Sequence, residues 1–130
     1  MTGGAAAHPY QYVVLRCVPR ADREEFVNVG VVLYCEETGL LRLAHHVDET
    51  RLRALDPAID LDQVASALAF VDAVCRGDGA AGAAAGQPTG TRFGFVKAPR
   101  STVIRPGPVH GGVTGDPERE LERLLTRLVG

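Results

Sequence analysis

The chain has 130 residues, 45% of them hydrophobic and 23% charged, with a formal net charge of −2 at pH 7 and a pI near 6.1. A chain of this length fits one domain that can bury a core without disulfides or metals, and its charge balance excludes a global bias toward nucleic acid or an anionic membrane. The densest apolar run, Phe26 to Cys35, is far too short to span a bilayer, and Met1 to His8 has neither the basic start nor the apolar stretch of a signal peptide, so a soluble cytoplasmic protein is expected.

Residues 1–9 read as a disordered leader, and residues 10–130 as a single α+β domain. Tyr10 to Val18 is rich in aromatic and β-branched residues and stops at Pro19, which predicts a strand. A charged link, Pro19 to Glu25, leads to a second strand, Phe26 to Cys35. Its alternate residues Val27, Val29, Val31, Leu33 and Cys35 form one apolar face, expected to be buried together. A turn at Glu36 to Gly39 returns the chain as a third strand, Leu40 to Ala44, completing an antiparallel β-meander.

Helices follow. Asp48 is placed to cap a short helix ending near Leu55, and Asp60 to cap a longer one from Leu61 to about Arg76 that Gly77 ends. The stripe Leu61, Val64, Leu68, Val71 and Cys75 has the three-and-four spacing of a helix lying on a sheet. Gly77 to Gly90 reads as a flexible Gly/Ala linker with little to bury. Phe93 to Lys97 and Thr102 to Arg105 read as two further short strands, and Pro106 to Gly115 as an irregular loop. Asp116 and Pro117 open a terminal helix whose face is Leu121, Leu124, Leu125 and Leu128. The expected architecture is thus an N-terminal meander and two short strands packed by about three helices.

No residue volunteers as a catalyst. Gly77-Asp78-Gly79-Ala80-Ala81-Gly82 matches a dinucleotide fingerprint by letter, but a helix precedes it where the phosphate site needs a strand. His45 and His46 are adjacent at a strand end and point to opposite faces, which suits no shared metal. Ser66 and Ser101 sit in no nucleophile motif. No cofactor or metal is expected. The three cysteines, Cys17, Cys35 and Cys75, are widely spaced beside apolar residues and read as reduced, buried thiols.

Two features stand out. A hairpin that pairs Val18 with Phe26 puts Arg16 opposite Asn28 and Val14 opposite Gly30, with Tyr10, Tyr12 and Tyr34 on the same face. Gly30 inside a strand signals a bulge or the close approach of another backbone, and Arg16 has nearby acids, Asp22, Glu24 and Glu25, with which it could simply pair. The second feature is charge asymmetry. From Gly79 to Gly115 there is no acidic residue, while Arg92, Lys97, Arg100, Arg105 and His110 all occur there.

The stretch Tyr10-Gln11-Tyr12-Val13-Val14-Leu15-Arg16, with Val18-Pro19-Arg20 and Glu25-Phe26-Val27-Asn28-Val29-Gly30-Val31-Val32-Leu33, resembles the start of the bacterial domain-of-unknown-function family numbered 3037. Ala98-Pro99-Arg100-Ser101-Thr102-Val103-Ile104, continued by Pro108-Val109-His110 and Asp116-Pro117, is similar to that family's second motif. The resemblance supplies no catalytic residues. It implies a protein partner, a HipA-like kinase, because members are often encoded beside one. Arg16, Asn28, Gly30, Arg100 and His110 fall in the two motifs and are the candidate binding surface. The first reading is a non-enzymatic accessory module that docks on a partner. The alternative is a small enzyme acting on an anionic or phosphorylated substrate, held by Arg16 and Arg100, with His110 as acid or base. Nucleic-acid binding is disfavoured by the charge and the absence of a recognition motif.

Overall fold

In the computed structural model, which describes residues 6–100 and 102–130, the strand Val27–Cys35 (β2) runs inside a five-stranded antiparallel sheet. It pairs with His8–Cys17 (β1) on one side and Leu40–His45 (β3) on the other. The remaining edge of β1 is taken by Ile104–Pro106 (β4) and His110–Thr114 (β5). The fold is α+β as expected, with four α-helices among the described residues: Glu49–Leu55 (α1), Leu61–Arg76 (α2), Thr89–Lys97 (α3) and Pro117–Leu128 (α4).

The meander forms where its sequence predicts, with a break in its register. Tyr12 pairs with Leu33, Val14 with Val31 and Leu15 with Gly30, but Arg16 pairs with Asn28, so Val29 is an extra residue on β2. This β-bulge reverses the inward and outward alternation of the strand. Val14 therefore faces Val31 and not Gly30. Val27 and Val29 lie with Val13, Leu15 and Cys17 in one core, whereas Val31, Leu33 and Cys35 lie in a second core across the sheet. The expected single apolar face is buried throughout, but it is divided between two layers. A run that is apolar on both faces is what a strand covered on both sides requires.

The first core is closed by α1, α2 and α3 through Leu52, Val64, Leu68, Val71, Phe93 and Val96. The second is closed by α4 through Leu121, Leu124 and Val129. The face expected to carry the aromatic rings with Arg16 and Asn28 is a covered face. Tyr10 is buried there beneath α4, with Tyr12 partly buried beside it, while Tyr34 projects to the other side and stacks on Phe93 at 5.3 Å between ring centroids. The Tyr10 hydroxyl donates to Glu120 Oε2 of α4 at 2.5 Å, and Arg123 holds the same carboxylate. Burial, aided by that carboxylate, pushes the Tyr10 phenol up to about 12, and the hydrogen bond from Arg123 leads the effects that hold Glu120 below the usual carboxylate range.

The helix ends follow their sequence signals. Asp48, Asp60 and Asp116 each accept a hydrogen bond from the backbone N–H three residues on. Gly77 closes α2 in the left-handed conformation, with φ of 68°. Elsewhere the expectations move. His8 and Pro9, assigned to the leader, belong to β1, and residues 1–5 of that leader lie outside the described residues, as does Ser101. The Gly/Ala segment holds a 3-10 helix, Gly79–Ala84, whose Ala81 and Ala84 are buried in the first core, so it buries more than its composition suggests. Phe93 to Lys97 is helical, part of α3, and the second short strand is β5, within the stretch expected to be an irregular loop. β4 and β5 lie along one edge of β1; the Gly107 N–H still donates to the Val14 carbonyl, and the break falls at Pro108 and Val109, since Pro cannot donate to the ladder.

All three cysteines are free and buried. Burial pushes the Cys17 thiol up to about 11 and the Cys75 thiol up to about 12, away from the reactive thiolate. Among the described residues no helix is long and apolar enough to cross a membrane.

Candidate binding cleft

Arg16 lies near the end of β1, directly between its partners Asn28 of β2 and Arg105 of β4. Partners directly opposite in a sheet project to the same face, so the two arginines are neighbours. Phe26, just before β2, sits beneath Arg16, whose guanidinium carbon is 4.3 Å from the ring centroid. A Cβ on Gly107 would come within 3.3 Å of the same guanidinium, so the turn after β4 closes against Arg16. Arg100 arrives from the segment after α3, anchored by a hydrogen bond from Nη2 to the Phe95 carbonyl, and Arg105 Nε donates to the Thr102 carbonyl at 2.9 Å.

These residues enclose an open cleft of about 270 Å³, lined by Arg16, Val18, Glu24, Phe26, Pro99, Arg100, Arg105 and Pro106. Arg16 and Arg100, distant in sequence, share it. Among the described residues none of the three arginines has a carboxylate within 4.0 Å, and the acids near Arg16 pair elsewhere, Asp22 with Arg20 and Glu25 with Arg23. Glu24 lines the cleft with a φ of 56°, the sole non-glycine in the left-handed region among the described residues.

A second cavity, about 350 Å³ and mainly apolar, adjoins the first at Arg100 and Pro106. Its walls are Leu15, Ala67, Phe70, Val71, Val96, Thr102 and Ile104, between α2, α3 and the β4 edge. Phe26, Phe70 and Phe95 are 44%, 43% and 43% exposed, large values for aromatic rings. Phe26 lies with the arginines in the first cleft and Phe70 lines the second, so the two form a composite surface, apolar at one end and cationic at the other.

The other sequence candidates are placed differently. Asn28 neighbours Arg16 on the sheet, but its amide donates to the Leu128 carbonyl at 3.1 Å and so ties β2 to the end of α4. Gly30 gives the close approach that a strand glycine signals: a Cβ there would lie 3.1 Å from the Ala44 carbonyl oxygen. His110 is exposed, pairs with Tyr12 and stacks on its ring at 5.2 Å. No histidine lines the arginine cleft. Arg92, prominent in the acid-free segment, is engaged in structure, donating to the Val74 and Cys75 carbonyls at the end of α2 and to the Gln87 carbonyl just before α3.

Arg105 was visible in the same segment, though nothing in the sequence showed it opposite Arg16. Phe70 is off the apolar stripe of α2, which is the signal for its exposure. The family model described as Protein of unknown function (DUF3037) matches residues 12–129. No curated protein and no solved structure matches the chain.

Proposed function

The chain belongs to the family described as Protein of unknown function (DUF3037), and from that premise we propose that it is a cytoplasmic, non-enzymatic accessory module that docks on a protein partner. The observation that carries the reading is the juxtaposition of exposed Phe26 and Phe70 with Arg16, Arg100 and Arg105 across two adjoining cavities. Aromatic residues and arginine are the types enriched in protein interfaces, where rings fill pockets and guanidinium groups meet acids. Exposed apolar surface rimmed by charge is costly in a monomer and useful at an interface. The docking segment that fits is apolar in one part and acidic in the next. Family resemblance makes a HipA-like kinase the first partner to try.

Co-expression of the chain with the HipA-like kinase of its own genome tests this. The wild type is expected to co-purify as a stoichiometric complex, and Phe70→Glu and Arg100→Glu to be lost from it while melting like the wild type, because both positions lie outside the cores. Retention of both variants in the complex would refute this surface as the docking site.

A further inference from the structure

Arg16 and Arg105 are directly opposite on neighbouring strands, an arrangement that brings Cβ atoms to roughly 5 Å and is destabilising for like charges. The chain has acids to relieve such contacts and uses them elsewhere: Arg20, Arg23, Arg42, Arg76 and Arg123 each pair with a carboxylate. The arginine pair in the cleft, and Arg100 beside it, have no such partner among the described residues. We infer that the Arg16–Arg100–Arg105 cleft binds a phosphorylated side chain, carried by the docking segment of the partner. This deepens the docking reading and rests on it for the direction from which the group arrives.

Charge selects the group. Three guanidinium groups and Glu24 leave the cleft with two net positive charges, which a phosphomonoester of charge about −1.5 to −2 balances and a single carboxylate does not. Geometry agrees. Arg16 is steadied by the Phe26 ring, Arg100 by the Phe95 carbonyl and Arg105 by the Thr102 carbonyl, so each is held while most of its five donors stay unspent. Planar, preorganised forks are what recognise phosphate oxygens in pairs. The adjoining cavity beneath Phe70 then takes an apolar side chain next to the phosphorylated residue. Glu24 is the competing anion within the site, so its removal should favour the ligand.

The test uses the full chain with three probes: inorganic phosphate, an acetylated phosphoserine–leucine amide, and the glutamate–leucine counterpart, against chloride at matched ionic strength. Both phosphate probes are expected to raise the melting temperature, and the glutamate peptide to bind about tenfold more weakly, as loss of charge-assisted contacts implies. Arg16→Gln and Arg105→Gln should each weaken phosphopeptide binding about tenfold or more, and Glu24→Gln should tighten it severalfold. In chloride alone, Arg105→Gln should melt no lower than the wild type, because a like-charge contact is removed; an arginine with a structural role would lose stability instead. Equal binding of the glutamate peptide, or phosphate binding undiminished in the arginine variants, overturns the assignment. Phosphopeptide binding that survives when the kinase fails to co-purify removes the docking reading alone, whereas co-purification without any phosphate response removes this site alone.

Discussion

Replacement of Val31 by Asp is expected to leave the protein without a cooperative unfolding transition at room temperature. Val31 has no exposed surface and lies in the core beneath α4, paired with Val14 on one side and Ala44 on the other. A carboxylate there has no cationic partner in its core cluster, which consists of Tyr10, Leu33, Cys35 and the apolar face of α4. The cost of burying an unpaired charge is several kcal/mol, comparable with the whole stability of a small domain, about 5–15 kcal/mol. Circular dichroism during a urea titration measures it. A Val31→Asp protein that melts cooperatively near the wild type would mean that α4 does not cover this face of the sheet.

The second large effect concerns α3. Phe93→Ala is expected to cost about 3–5 kcal/mol, the range for deleting a buried aromatic ring. Phe93 is 1% exposed, stacks on Tyr34 and lies under Lys97. Phe95→Ala should change stability little, since Phe95 is 43% exposed, while Val96→Ala, at a buried position, should cost about 1–3 kcal/mol. The pattern discriminates secondary structure. In a strand Phe93 and Phe95 share a face and Val96 opposes them; in a helix Phe93 and Val96 share one. Equal losses at 93 and 95, read from urea midpoints, would return the segment to a strand.

The reason α3 was not legible is physical. Thr89-Gly90-Thr91-Arg92-Phe93-Gly94-Phe95 combines glycine, threonine and aromatic residues, all poor helix formers. The helix is held by tertiary packing: Phe93 and Val96 lie in the core, and Arg92 clasps the end of α2. The helices that were legible, α1, α2 and α4, carry their own Asp caps, so local sequence and fold agree. In β2, every residue from Val29 to Leu33 is apolar or glycine, so a one-residue bulge leaves no trace in the alternation. Only the paired register, with Arg16 against Asn28 and Leu15 against Gly30, exposes it.

The candidate site was legible by halves. Arg16 and Arg100 stood out because arginine in a strand and in a proline-bounded segment calls for a reason. Their shared cleft, with Phe26 in it, and the opposition of Arg105 depend on the order of strands at the sheet edge, which spacing in the chain does not encode. Asn28 and Gly30 owe their places to closing the sheet against α4 and β3.

Photo-crosslinking tests the central claim, that this composite face is where a partner docks, most directly. A benzophenone side chain placed at position 70 is compared in cells with one at position 113, where Val113 is 66% exposed on β5. Both positions present an apolar group to solvent, but only the first lines the cavity that adjoins the arginine cleft. Position 70 is expected to give one discrete adduct, which Arg100→Glu abolishes, and position 113 to give none. An adduct at position 113 with none at 70 would contradict the account.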